Sequence, residues 1–79
     1  MNAQDVATRV ESVFAQVFGN RLPFSSELAR ADQEYWTSLK HMELLIALEL
    51  EFGIRLDGGD AVDMQSTAAV IQRIAERVA

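Results

Sequence analysis

The sequence predicts an all-α fold: a small bundle of three to four helices with a long loop between the first and second. Three observations predict it. Apolar residues recur at helical spacing in three separate stretches, each opened or closed by a capping residue. The only other apolar alternation, Ile54-Arg55-Leu56, is too short for a sheet of its own. The 79 residues make one domain, residues 1–79, with a small core.

The first helix is expected from about Ala3 to Phe18. Val6, Val10, Val13, Phe14, Val17 and Phe18 fall on one face, and this pattern outweighs the mediocre helix propensity of valine. Gly19-Asn20 is a stop signal. Residues 20 to about 37 then form a connection whose length is uncommon in a compact domain and often functional. Pro23 and Ser25-Ser26 support an irregular path, with one short helical turn expected over Ser25-Ser26-Glu27-Leu28. Leu22, Phe24 and Leu28 are expected to tie this segment to the core, and Trp36 to pack beneath the entry of the next helix.

The central helix follows Trp36, with Thr37 or Ser38 as its cap and Gly53 in left-handed conformation at its end. It carries two apolar stripes, Leu44/Leu45/Leu48/Phe52 and Leu39/Met42/Ile46/Leu50. A helix in a small soluble domain normally buries one, so the second is buried elsewhere or offered to a partner. Glu43, Glu49 and Glu51 read as a solvated edge, with Glu51 expected to pair with Arg55 for about 0.3–0.5 kcal/mol. Asp57-Gly58-Gly59-Asp60 reads as a turn that lacks the ligand spacing of a calcium loop. One helical turn is expected over Ala61-Val62-Asp63-Met64. The last helix starts at Gln65 or Ser66 and runs to about Val78, with Val70, Ile71, Ile74, Ala75 and Val78 inward.

Composition narrows the function. The formal net charge of −5 argues against nucleic acid, which needs clustered Lys and Arg. The absence of cysteine excludes disulfides and thiolate chemistry and fits a cytoplasmic protein. No signal peptide and no membrane span are expected. Ser38 and the single histidine, His41, lie one helical turn apart, but no orienting group or oxyanion hole accompanies them. An exposed surface histidine is therefore the expectation, and no enzyme activity. A hydroxyl at a helix N-terminus would suit an anion, yet spacing alone reads Ser38 as an ordinary capping residue.

Thr37-Ser38-Leu39, followed by Met42-Glu43-Leu44 and by the run from Ala47-Leu48-Glu49 through Phe52-Gly53-Ile54, resembles the acyl carrier protein family. The resemblance extends over nearly the whole chain. The Trp-x-Ser-Leu-x-His form looks like discrete carriers of bacterial biosynthetic clusters. It implies that Ser38 carries 4′-phosphopantetheine, added from coenzyme A by a phosphopantetheinyl transferase, and that a thioester-bound acyl or aminoacyl group is presented to loading, transfer and synthase enzymes. Fatty-acid, polyketide or related secondary-metabolite synthesis is implied, in a monomeric protein. Leu39, Met42 and Ile46 match the family's apolar docking positions, and Glu43, Glu49 and Glu51 its acidic ones. Thr37, Lys40 and Leu50 stand where the family usually has acids, so the helix is less acidic and more apolar than typical; Leu50 enlarges the exposed apolar patch, and Thr37 and Leu50 are counted with the docking positions. Poor modification by an arginine-reliant fatty-acid holo-synthase is expected, and better modification by a broad-specificity transferase. The alternative is a carrier-like helical interaction module that binds a partner through the Leu39/Met42/Ile46/Leu50 stripe and is not phosphopantetheinylated.

Overall fold

A computed structural model describes residues 1–79 and contains four helices and no strand: α1 (Ala3–Phe18), α2 (Ser38–Phe52), α3 (Gly58–Asp63) and α4 (Thr67–Val78). The small helical bundle is as the sequence predicts, and no helix is long and apolar enough to cross a membrane.

Helix α1 buries the predicted face, Val6, Val10, Val13, Phe14 and Phe18. Its N-terminus is capped by Asn2, whose Oδ1 accepts the Asp5 N–H at 2.8 Å. It packs mainly on α2 and less extensively on α4. The core centres on Phe14, whose ring meets Phe18, Phe24 and Trp36 at centroid distances of 4.3, 5.5 and 5.5 Å. The two loop aromatics thus anchor the connection to α1, as the sequence suggests for Phe24 and Trp36.

The connection differs from expectation in one detail. Residues 25–28 form an isolated turn at Ser26-Glu27 and no helix; 3₁₀ helices lie at Gly19–Arg21 and Arg30–Asp32. The reason is a tie to the far end of the chain. Thr67 Oγ1 donates to Ser25 O at 2.7 Å and accepts the Leu28 N–H at 3.1 Å. Backbone bonds join Thr67 N to Leu28 O and Arg30 N to Gln65 O, and Ala29 bridges Ser66. With the backbone groups of Leu28 and Arg30 committed to residues 65–67, the turn does not continue into a helix.

Helix α2 ends on Gly53 at φ 65°, ψ 38°, the left-handed conformation expected there. Leu44, Leu45 and Leu48 are buried and Phe52 half-buried. Two expectations about charged groups fail. Glu51 pairs not with Arg55 but with Arg9 of α1, at 2.9 Å; Arg9 also bonds the Glu51 carbonyl and lies over the Phe52 ring. A cation clamped on a neighbouring helix by three acceptor surfaces outcompetes one on the loop beyond Gly53. Asp57–Asp60 is not a free turn. Asp57 is the N-cap of α3, and Asp57 and Asp60 form a reciprocal capping box, so the helical turn begins at Gly58 rather than Ala61. Helix α4 is capped by Ser66, with Val70 and Ile74 fully buried.

Asp60 is completely buried, and Arg73 and Arg77 of α4 both bond its Oδ1. Burial alone would raise its pKa. The Asp57 N–H and the Arg77 and Arg73 guanidiniums outweigh that and hold it far below the ordinary carboxylate range.

Candidate functional site

At the start of α2 the cap and the first helical residue both carry a hydroxyl. Thr37 is extended (φ −75°, ψ 173°), and its hydroxyl accepts the Lys40 N–H at 3.1 Å. It is therefore the cap. Ser38 is the first helical residue, exposed, and its hydroxyl is free of capping duty.

The hydroxyl has one neighbour that sequence reasoning missed. Arg30, in the second 3₁₀ turn, donates from Nη2 to Ser38 Oγ at 3.2 Å. The guanidinium is fixed by Nε to the Trp36 carbonyl at 3.2 Å and by Nη1 to Gln65 Oε1 at 3.1 Å. Seven residues lie between Arg30 and Ser38, with no single helix or strand spanning them, so no periodicity could have paired them. The two, with His41, Met42, Val62 and Gln65, border a shallow depression of about 220 Å³ between α2 and α3.

His41 corrects the reading of an exposed histidine, since it is 4 % exposed. The Trp36 indole N–H donates to Nδ1 at 3.0 Å, and Nε2 lies 2.8 Å from the Ala61 carbonyl. An indole can only donate and a carbonyl can only accept, so Nδ1 is bare and Nε2 carries the proton. Burial lowers the His41 pKa; the Ala61 carbonyl opposes this and the nearby Arg30 charge adds to it. Both ring nitrogens are thus engaged away from Ser38, and no Ser38–His41 hydrogen bond forms. The spacing held the clue: His41 lies four and seven residues before Leu45 and Leu48, on the buried stripe.

The second apolar stripe of α2 faces outward along its whole length, as the pattern predicts. Leu39, Met42, Ile46 and Leu50 are 69, 54, 53 and 81 % exposed. Val62 of α3 is exposed as well and borders the depression beside Met42.

The acidic residues differ in their freedom. Glu43 pairs with Lys40 at 3.0 Å, a contact one turn apart. Glu49 is half-buried, and its Oε2 accepts the Leu56 N–H at 2.8 Å. It fastens the α2–α3 link rather than standing on a solvated edge. Glu51 is held by Arg9. The structure brings together Thr37, Ser38, Leu39, Met42 and Glu43 at one end of α2, and sets Ile46, Glu49 and Leu50 one to three turns further along.

Comparison of the chain with protein-family models, with curated proteins and with solved structures found no match.

Proposed function

We infer that the chain is a non-catalytic carrier protein, with Ser38 as the attachment point for 4′-phosphopantetheine. The observation that carries this reading is the freedom of Ser38. It is an exposed hydroxyl on the first residue of a long helix, relieved of capping by Thr37 and set beside a fixed guanidinium.

The residues suit such a group. A phosphodiester on Ser38 Oγ would bring one negative charge to a spot with the Arg30 cation on one side and the N–H groups of the first turn of α2 beneath it. The group supplies a thiol, which this cysteine-free chain lacks, to hold an acyl or aminoacyl unit as a thioester. Arg30 holds the anion near the loop. Leu39, Met42 and Ile46, with Leu50 beyond them, give partner enzymes an apolar strip leading from the attachment point. Glu43 adds charge at its edge. The partners are a phosphopantetheinyl transferase and the enzymes that load, extend or take the acyl group in fatty-acid, polyketide or related synthesis.

Intact mass after incubation with coenzyme A and a broad-specificity phosphopantetheinyl transferase tests the reading. A gain of one phosphopantetheine on the parent, and none on Ser38→Ala, is expected. An arginine-reliant fatty-acid holo-synthase is expected to modify the parent more slowly, and Thr37→Asp with Lys40→Asp to narrow the gap. Absence of any gain with several transferases sinks the reading.

One observation favours a second reading. The Ser38 hydroxyl already accepts from Arg30 and so has a structural use, tying loop to helix, without any arm. On that reading the chain is a helical interaction module that meets its partner through the same exposed stripe. The mass measurement separates the two.

A further inference from the structure

A second and larger groove, of about 620 Å³, lies between the end of α1 and the start of α2, with Thr37 in its lining. Its volume falls in the range of ligand-binding clefts. Val17, Phe18, Tyr35 and Leu39 supply apolar surface, and Arg21 and Lys40 the charge. No Asp or Glu lines it, although acids outnumber Lys and Arg by twelve to seven in the chain.

The two cations differ. Lys40 Nζ is committed to the Val17 carbonyl and to Glu43. Arg21 takes part in none of the six ion pairs. Its guanidinium lies over the Tyr35 ring, 5.4 Å from the centroid, which orients it without neutralising it. Tyr35 and Leu39 are exposed on the rim. An unneutralised arginine between exposed apolar residues is an arrangement enriched in protein interfaces.

We propose that this groove docks a carboxylate side chain of a partner protein, carried on a segment with apolar neighbours. Charge complementarity chooses the occupant. A basic segment is repelled by the unneutralised Arg21, and an extended polyanion such as nucleic acid is repelled by the net charge of −5. A single carboxylate flanked by apolar side chains satisfies the cation and covers Val17, Tyr35 and Leu39 together. The docking surface is then cationic at Arg21, with Tyr35, Thr37 and Leu39 beside it at the start of α2. The inference does not depend on what Ser38 carries.

The test uses the full chain, ¹⁵N-labelled, at low ionic strength. Two short peptides serve as probes, acetyl-Leu-Asp-Phe-Ser-amide and acetyl-Leu-Lys-Phe-Ser-amide. The acidic peptide is expected to shift the amides of residues 16–21 and 35–40 saturably, and the basic one to leave these unmoved. Arg21→Glu is expected to weaken the acidic peptide about fivefold or more, the equivalent of one exposed ion pair of about 1 kcal/mol. Arg21 has no ion-pair partner, so this variant is expected to keep the parent's helical circular dichroism. Raising salt to about 0.15 M, where the Debye length is about 8 Å, is expected to weaken the same shifts. The proposal is overturned if the acidic peptide leaves the groove amides unmoved, if Arg21→Glu binds it as well as the parent does, or if a peptide with serine in place of the acid binds equally.

Discussion

His41 is held by two hydrogen bonds that fix its tautomer and leave no place for a second proton. Protonating Nδ1 would turn it from acceptor to donor against the Trp36 indole, which is also a donor. Because the folded pKa lies below that of the unfolded chain, the unfolded state binds more protons in the window between the two values, and stability rises with pH there. The contribution is complete above about pH 6.5 and is lost as pH falls from there through the lowered folded value. His41 is the only histidine in the chain, and carboxylates titrate about two units lower. Thermal melts between pH 7 and 5 are therefore expected to show a falling midpoint in the parent and a flatter profile in His41→Gln, whose amide can still accept and donate. His41→Leu leaves the Trp36 N–H and the Ala61 carbonyl without their partner and is expected to cost about 1–3 kcal/mol by urea unfolding. At this scale the sequence was least informative. The position of His41 on the buried stripe was legible, but the partners that make its burial tolerable lie in the loop and in α3, outside any local pattern.

At the scale of the helix, α2 places very different residues side by side. Leu48 is fully buried and Leu50 81 % exposed. Leu48→Ala is expected to lose about 2–5 kcal/mol, whereas Leu50→Glu is expected to stay within about 0.5 kcal/mol of the parent in the same urea titration. This two-sided character was readable from spacing, because period 3.6 assigns each residue a direction before any partner is known. Helix α3 was less readable. Two glycines at its start imitate a turn, and the Asp57-x-x-Asp60 spacing that caps it also suits a loop. What decides the matter is Asp60, buried against Arg73 and Arg77 from α4. Asp60→Asn is expected to destabilise the fold by about 2–3 kcal/mol at neutral pH. Since the folded pKa of Asp60 is depressed, its contribution is present above about pH 4 and declines as pH falls below it. The variant's deficit should therefore shrink in acid, as unfolding at pH 3 and pH 7 will reveal.

For the whole molecule, the decisive link is between residues 25–30 and 65–67. It closes the longest irregular segment of the chain on the junction of α3 and α4. Thr67→Val keeps the volume but deletes the bonds to Ser25 and Leu28. A loss of about 1–3 kcal/mol is expected, together with faster hydrogen exchange at the Leu28 and Arg30 amides while those in α1 stay protected. The bundle and the order of its helices were legible because apolar periodicity and capping are local signals. The path of the long connection was not, since it is set by a threonine thirty-nine residues away from Leu28. The candidate site divided along the same line. Ser38 and the outward stripe are neighbours on one helix and could be read from it, whereas Arg30 reaches Ser38 only through the fold.

That last dependence has a bearing on the life of the chain in the cell. The guanidinium beside Ser38 is steadied by Gln65, through the side chain at Nη1 and through the backbone at Arg30 N. While a ribosome is still synthesising the chain, residue 38 emerges well before residue 65, so the serine exists for a time without its arginine in place. The setting of Arg30 beside Ser38 is thus completed by a residue translated later than either of them.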